Sequence, residues 1–233
     1  MNDSSELYFH QLPVGEMANL AYLLGSTTTR ECLIVDPAWN VKGMLDQAEA
    51  DGMKVVGALV THYHQDHVGG SIFGMEIEGL PELMTRNPVP VHVNQQEAEG
   101  LRHVTGVSES DLVRHEGGDV VELGGVKIRL MHTPGHTPGS QCFLVETPQH
   151  AGCLVSGDTL FLGSCGRVDL PGGDPEALYE SLHGQLGKLP DETLLYPGHL
   201  YAADPSSTIG EQKRTNPYLR VARLEDFLGF LGY

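Results

Sequence analysis

Residues 61–67 read Thr61-His62-Tyr63-His64-Gln65-Asp66-His67, directly after the apolar run Val55–Val60. His62 and His64 are two apart, so they point the same way while the chain stays extended. Asp66 and His67 are adjacent and, after a turn, can face a second point. Crowding imidazoles and a carboxylate together is costly unless they bind something or are hydrogen-bonded. Neutral imidazoles with carboxylates suit zinc or a similar first-row metal. A plain polar loop is the competing interpretation, and the density of donors behind an apolar strand argues against it.

Working outward, Leu20–Leu24 and Cys32–Val35 read as strands of a hairpin, closed by Asp36-Pro37. Val41, Met44, Leu45 and Ala48 recur at helical spacing, and the Val-rich run 55–60 reads as a buried strand. Strand, helix and strand in that order predict a parallel crossover. The donors after Val60 then sit at the C-terminal edge of a parallel strand, where open α/β sheets carry sites. Residues 69–90 are irregular and read as either a long surface loop over a site or a packed insertion. Further strands are expected at 89–93, 120–123, 126–131, 141–146, 153–156 and 193–196, with helices over 95–103 and 175–186 and one or two in a tail from about 207. Leu219, Ala222, Leu224, Phe227 and Leu228 are available for packing in that tail. The pattern predicts one α/β domain over 1–233, with two sheets and outer helices. A single doubly wound sheet is the alternative, and the β-rich middle argues against it.

Three more strand ends repeat the theme: Met131-His132-Thr133-Pro134-Gly135-His136, Val155-Ser156-Gly157-Asp158 and Leu195-Tyr196-Pro197-Gly198-His199. Each has a glycine just before the terminal His or Asp, which lets backbone approach closely. Together with residues 62–67 they supply a full set of metal ligands.

With these stretches in view, the chain resembles the metallo-β-lactamase-fold hydrolases. The HxHxDH run, Gly135-His136 before Thr137, Gly157-Asp158 and Pro197-Gly198-His199 occur in that family's order, from roughly residue 15 to 220. The resemblance implies an αββα sandwich of two mixed β-sheets with outer helices and metals at one edge between the sheets. It implies that His62, His64 and His136 hold one metal, that Asp66, His67 and His199 hold a second, and that Asp158 bridges them. Two divalent ions are expected, zinc foremost, with iron or manganese as alternatives.

Within the family, Gly157-Asp158-Thr159-Leu160-Phe161, Gly163-Ser164-Cys165-Gly166-Arg167 and Thr208–Pro217 resemble the glyoxalase II-like thioesterases. Arg167-Val168-Asp169-Leu170-Pro171-Gly172-Gly173-Asp174 resembles the short bacterial members of that group. This implies hydrolysis of an acyl thioester, with a thiol that is glutathione-derived in the parent group, by water activated between two metals. Asp66 is a conditional general base if a single metal is bound. Arg167 and Asp169 match the positions of the family's substrate-binding Lys and Tyr, and Tyr201 matches a second binding Tyr. The longer basic C-terminal region of other glyoxalase II enzymes has no counterpart here. A related branch, the persulfide dioxygenases, uses one iron; there the matched ligands are His62, His136 and Asp158, a facial triad with open positions. A non-catalytic, metal-stabilised binding module is the alternative of another class; it predicts a closed site.

The remaining residues carry less. Cys32, Cys142 and Cys153 lie in apolar runs and read as reduced core thiols; Cys165, with no His partner beside it, reads as packing or a turn. His132 reads as a surface or supporting position, Thr137 and Ser140 as local turn residues, and His10, His92, His103, His115, His150 and His183 as ordinary polar positions. Thr215-Asn216-Pro217-Tyr218-Leu219 reads as a packed anchor.

Asp and Glu number 31 against 14 Lys and Arg, a formal charge of −17. Such a surface repels polyanions, which argues against nucleic acid or an anionic membrane as partner and leaves a small-molecule substrate; a homo-oligomer is compatible with this reading. About 40% hydrophobic residues exclude global disorder. The acidic N-terminus lacks a signal-peptide pattern, and no apolar run nears the ~20 residues of a membrane span. A cytoplasmic protein is the expectation.

Overall fold

Alternating aliphatic residues build the first sheet in the computed structural model, which describes residues 7–147 and 150–233. The N-terminal segment discussed above lies partly outside the described residues, and so does the side chain of His150. Strand β1 (Leu7–Val14) pairs antiparallel with β2 (Asn19–Ser26), and β2 with β3 (Glu31–Val35). Helix α1 (Val41–Ala50) starts where the Asn40 side chain accepts the Gly43 N–H at 3.0 Å. It buries Val41, Met44 and Ala48 and returns the chain to β4 (Lys54–Leu59), parallel to β3. The run from Thr61 to His67 follows as an extended stretch that enters the short helix α2 (Gln65–Val68). A small hairpin, β5 (Gly70–Ile72) and β6 (Met75–Ile77), leads to α3 (Leu80–Arg86), β7 (Val91–Asn94), α4 (Ala98–Thr105) and β8 (Leu112–His115). The sheet order is β1-β2-β3-β4-β7-β8, with the β3–β4, β4–β7 and β7–β8 pairs parallel.

The second sheet begins with the hairpin of β9 (Val120–Leu123) and β10 (Val126–His132) and continues through β11 (Gln141–Thr147) and β12 (His150–Gly157). A two-residue hairpin, β13 (Leu160–Phe161) and β14 (Ser164–Cys165), precedes α5 (Pro175–Tyr179), which Asp174 caps. This helix widens into a π-turn over Glu180–Gln185 and tightens into a 3₁₀ turn over Leu186–Lys188. Strand β15 (Leu194–Pro197) runs parallel to β12, and β16 (Ser207–Thr208) edges the sheet. The tail holds α6 (Ile209–Thr215), α7 (Pro217–Arg220) and α8 (Leu224–Leu231). The order is β16-β15-β12-β11-β10-β9.

Three apolar layers follow from which face each side chain takes. Leu20, Tyr22 and Leu24 of β2 point at Val126, Ile128, Leu130, Phe143 and Val155 between the sheets. The alternate residues Ala21 and Leu23 face Met44, Leu80, Leu83 and Leu101 of the outer helices. On the far side Cys142, Leu144 and Leu154 meet Leu178, Leu182, Leu186 and Phe227. This is the αββα sandwich of two mixed sheets, as expected. The sheets are also stitched at one end. Leu20 N–H donates to Gly198 O at 2.8 Å and Gln141 N–H to Thr61 O at 2.9 Å; Gln141 Nε2 donates to Val60 O at 2.8 Å. The ligand-bearing strand ends meet there.

The stretch 69–90 is closer to the packed insertion than to the irregular surface loop. It forms β5, β6 and α3, because Leu80 and Leu83, at helical spacing, bury against the first sheet. The helix expected over 175–186 is true α-helix only to Tyr179. In the tail, Phe227 is fully buried, whereas Ala222 is exposed. Strand β1 and the β13–β14 pair have no counterpart in the sequence reading.

Phe143, fully buried between the sheets, provides a test of this layer. Phe143→Ala is expected to cost about 3–5 kcal/mol, measured by urea unfolding; a loss below about 1 kcal/mol would contradict close packing of the two sheets.

Candidate metal centre

Four strand ends deliver the donors. His62 and His64 leave β4 in extended backbone, and α2 then turns Asp66 and His67 to the side. The loop after β10 brings His136, the end of β12 brings Asp158, and the end of β15 brings His199. Three groups result, each with donor atoms within 4.8 Å of one another: His62, His64 and His136; His62, His67 and Asp158; Asp66, His67 and His199. The glycine before each terminal donor acts as expected. A side chain at Gly198 would sit 2.4 Å from Asp158 Oδ1, and Gly157, at φ +47°, would press 2.7 Å against Thr61.

The outer ring nitrogens determine where the protons are. His67 Nδ1 faces Asp36 Oδ2 at 3.0 Å, His136 Nδ1 faces Arg167 O at 2.7 Å, and His199 Nδ1 faces Met17 O at 2.9 Å. Those oxygens only accept, so each Nδ1 carries the proton and each Nε2 turns a lone pair inward. Thr61 Oγ1 donates to Asp36 Oδ2 at 2.6 Å and so accepts from His62 Nδ1 at 3.0 Å, which fixes His62 the same way. The inward atoms then crowd. His136 Nε2 is 3.0 Å from His64 Nδ1, and His67 Nε2 is 3.1 Å from His199 Nε2. No outer acceptor among the described residues fixes the His64 ring, so its Nδ1–H can donate to His136 Nε2, whereas His67 and His199, each with Nδ1 already protonated, require a proton or a metal cation between their Nε2 atoms. His62 Nε2 and Asp158 Oδ1 are buried without a hydrogen-bond partner. Such atoms, in a set of five imidazoles and two carboxylates, fit metal ions.

Charge divides the cluster. Burial, with neighbouring imidazoles, depresses His62 well below the usual imidazole range and His64 to about 4, which leaves both neutral and able to ligate. Burial acts the same way on His67 and His199, but the Asp66 and Asp158 carboxylates outweigh it; His67 is held well above its usual range and His199 rises to about 9. Burial would raise Asp158, but His67 and His199 hold it well below the usual carboxylate range. The second group therefore demands positive charge more strongly than the first.

Two buried carboxylates that the sequence reading did not assign to the site hold its frame. Asp36, read as a strand-closing turn, sits at φ +52°, a strained conformation for a non-glycine residue. Its carboxylate accepts the Thr61 N–H at 2.8 Å in addition to Thr61 Oγ1 and His67. Its signal was available, because it is a strand-end Asp like Asp158. Glu97 is fully buried in a helix-like stretch that gave no sign of it. Its carboxylate accepts Tyr63 N–H at 2.8 Å, Thr137 Oγ1 at 2.9 Å and Gly139 N–H at 2.6 Å. Glu97 thus straps the loop of His62 and His64 to the loop of His136. Ser181 and Gln185, brought round by the π-turn, hold Pro134 O at 2.7 Å and His132 O at 2.8 Å.

Other candidates fall as follows. Arg167 pairs with Asp169 through two 2.7 Å bonds and is exposed. Tyr201 stacks on His199 at 4.7 Å with planes 9° apart, and is 61% exposed. His132 turns to Pro138 O and joins none of the donor groups. Thr137 and Ser140 bond each other at 2.7 Å in the turn, and Thr137 also serves Glu97. Cys32, Cys142 and Cys153 are buried free thiols. Cys165 is also free, and burial pushes it up to about 12, so it is no nucleophile near neutral pH. His92 and His115 pair at 2.9 Å, away from the donor groups. Asn216 anchors the tail by donating to Phe161 O and Ser164 O.

A family profile described as the metallo-β-lactamase superfamily matches residues 14–199, ending on the last donor. The chain belongs to the metallo-β-lactamase superfamily. The donor groups on this scaffold make it a metal-dependent enzyme of that hydrolase superfamily. The hydroxyacylglutathione hydrolase GloC of Haemophilus influenzae is 32% identical over 199 residues, 82% of this chain and 88% of its own. The mitochondrial persulfide dioxygenase ETHE1 of Homo sapiens is 30% identical over 212 residues, 91% of this chain and 75% of its own. The crystal structure of ETHE1 from Myxococcus xanthus superposes with a TM-score of 0.80 at 30% identity, over 97% of this chain and 90% of that one. Both branches of the superfamily are represented, and the ETHE1 proteins align with the larger share of this chain. No helix among the described residues is long and apolar enough to cross a membrane.

Glu97→Gln tests the strap. It keeps one acceptor but sets an amide donor against a backbone or hydroxyl donor. Unfolding is expected to become easier by about 1–3 kcal/mol, with metal affinity down roughly 10-fold or more. Unchanged values for both in chemical unfolding and metal titration would show that the three bonds carry nothing.

Proposed function

We propose that this chain hydrolyses acyl thioesters of a small thiol at a two-metal centre. The observation that carries this reading is the pair of three-donor groups on either side of Asp158, with His62, His136, His67 and His199 turned inward by outer hydrogen bonds. His62, His64 and His136 would hold one ion, Asp66, His67 and His199 the other, with Asp158 shared. Two divalent ions, when bound there, supply acidified water and polarisation of a carbonyl oxygen. The protein's own part is to orient and to exclude. The outer bonds of Asp36, Thr61, Met17 and Arg167 O keep His67, His62, His199 and His136 in the ligating tautomer. Asp66 is the proton acceptor for water if a single ion is present. Tyr201, stacked on His199, forms a wall of the mouth. The Arg167–Asp169 pair borders a cavity of about 470 Å³ that also touches Tyr218 and Tyr233, room for the thiol-bearing part of a substrate. No protein nucleophile is required. The donor set suits zinc and also iron or manganese.

A second reading, oxidation of a thiol-bound persulfide at a single iron on His62, His136 and Asp158, is favoured by the ETHE1 likeness over 97% of the chain. The comparisons lean toward it, and the donor geometry leans toward the two-metal hydrolase. In the single-iron reading one proton shared between His67 and His199 satisfies the second group without an ion.

Metal analysis of protein purified without added metal, combined with two assays, separates the readings. The hydrolase predicts close to two equivalents and anaerobic release of thiol from an acyl-glutathione thioester. One equivalent of iron, with oxygen uptake on glutathione persulfide and no anaerobic thioester cleavage, would replace it with the second. In either case Asp158→Asn is expected to lower kcat by about 10³-fold, the scale of several kcal/mol of lost charge stabilisation, measured in the assay that the wild type passes.

A further inference from the structure

Asn19 opens β2 and belongs to none of the donor groups. Its backbone bridges to that of His199, flanked by Leu20 N–H to Gly198 O and Leu200 N–H to Ala18 O, each 2.8 Å. The residue is 2% exposed. Its side chain enters the second donor group: Nδ2 donates to Asp66 Oδ2 at 2.9 Å and lies 3.4 Å from His67 Nε2. That same Asp66 oxygen is 3.4 Å from both His67 Nε2 and His199 Nε2, so it is the oxygen that converges with the two rings. Asn19 Oδ1, in contrast, is buried with no hydrogen-bond partner. A buried amide that leaves its acceptor unused is unfavourable on stability grounds and is the kind of exception that calls for a functional account.

We infer that Asn19 is a positioning residue for the second metal: its Nδ2–H locks Asp66 with Oδ2 turned toward His67 and His199, and so sets uptake of the second ion separately from the first. A carboxylate at the tip of a short side chain can otherwise rotate and present either oxygen. The amide hydrogen bond selects one rotation. It occupies one lone pair of Oδ2 and leaves the other for an ion. Among the described residues the side-chain bonds of Asn19 run only to Asp66 and His67. The first group is oriented by other partners, namely Thr61, the Arg167 carbonyl and, through the loops, Glu97. Asn19 therefore acts on one of the two sites. This assignment rests on the two-metal reading above, and it makes a single residue on the N-terminal hairpin the determinant of one-metal against two-metal behaviour.

The test is a cobalt(II) titration of metal-free wild type and Asn19→Ala, followed by visible absorption and checked by bound-metal analysis after dialysis at buffered free zinc. Wild type is expected to take two equivalents. Asn19→Ala is expected to take the first with an affinity within about threefold of wild type, and the second roughly 10- to 100-fold more weakly. Retention of the first equivalent shows that the variant is folded, and thermal unfolding of both proteins gives an independent check. Two equivalents with unchanged affinities in Asn19→Ala overturn the assignment while leaving the two-metal reading intact. Equal weakening of both equivalents also overturns it, since Asn19 would then be general packing. A wild type that takes only one equivalent overturns the two-metal reading and this assignment with it.

Discussion

The organising constraint in this protein is repulsion between inward-facing lone pairs. His67 and His199 meet Nε2 to Nε2 at 3.1 Å, and each Nδ1 is already committed to an outer acceptor. A carboxylate and a carbonyl outside the cluster hold those two ring protons on the far side, so neither ring can turn into a donor and stay neutral. Positive charge has to sit among them. The sandwich exists in part to impose this arrangement, because it brings four strand ends to one rim and seals them with inter-sheet bonds at Thr61, Gln141, Leu20 and Gly198.

A second layer makes the first exact in position. Asp36 and Glu97 are buried acids, Asp36 facing His67 Nδ1 and Glu97 with no cationic partner among the described residues, and each is satisfied by donors from the loops that carry the donor groups. Burying them is costly, and three hydrogen bonds apiece offset that cost. Asp36 also bears backbone strain. Such local expenditure is common where geometry matters more than stability. Their arrangement is uneven: Asp36 serves both halves, through His67 and through Thr61 to His62, whereas Glu97 serves the loops of the first group and Asn19 serves Asp66 of the second.

This support bears on the two readings proposed above. The two-metal hydrolase would fill both halves, whereas the single-iron reading would use only His62, His136 and Asp158. In this chain the second half carries the stronger demand for positive charge, with His67 and His199 both held up by Asp66 and Asp158. A proton or an ion can meet that demand, and nothing in the scaffold has to be rebuilt to exchange one for the other. Closely related folds can therefore host either reaction on nearly the same residues.

Much was legible in the chain itself. The Val-rich run before His62, the spacing of His62, His64, Asp66 and His67, and the glycines before His136, Asp158 and His199 report local chemistry, and local chemistry is written in adjacent residues. The two-sheet architecture could also be read, since periodicity and turn residues mark strands and crossovers. Less legible were α3, hidden in a stretch rich in Gly and Pro, and the π-turn that reaches back to the His136 loop. The roles of Glu97 and Asn19 were not legible at all, and that of Asp36 only as one more strand-end Asp. Each acts on residues 25 or more positions away or on the backbone of another loop, and a hydrogen bond across that separation leaves no periodic trace. The candidate donors were named from the sequence, and their grouping was implied by the resemblance; donor orientation, tautomer and spacing were decided only when distant strand ends packed together, because direction and distance between side chains are properties of the folded backbone.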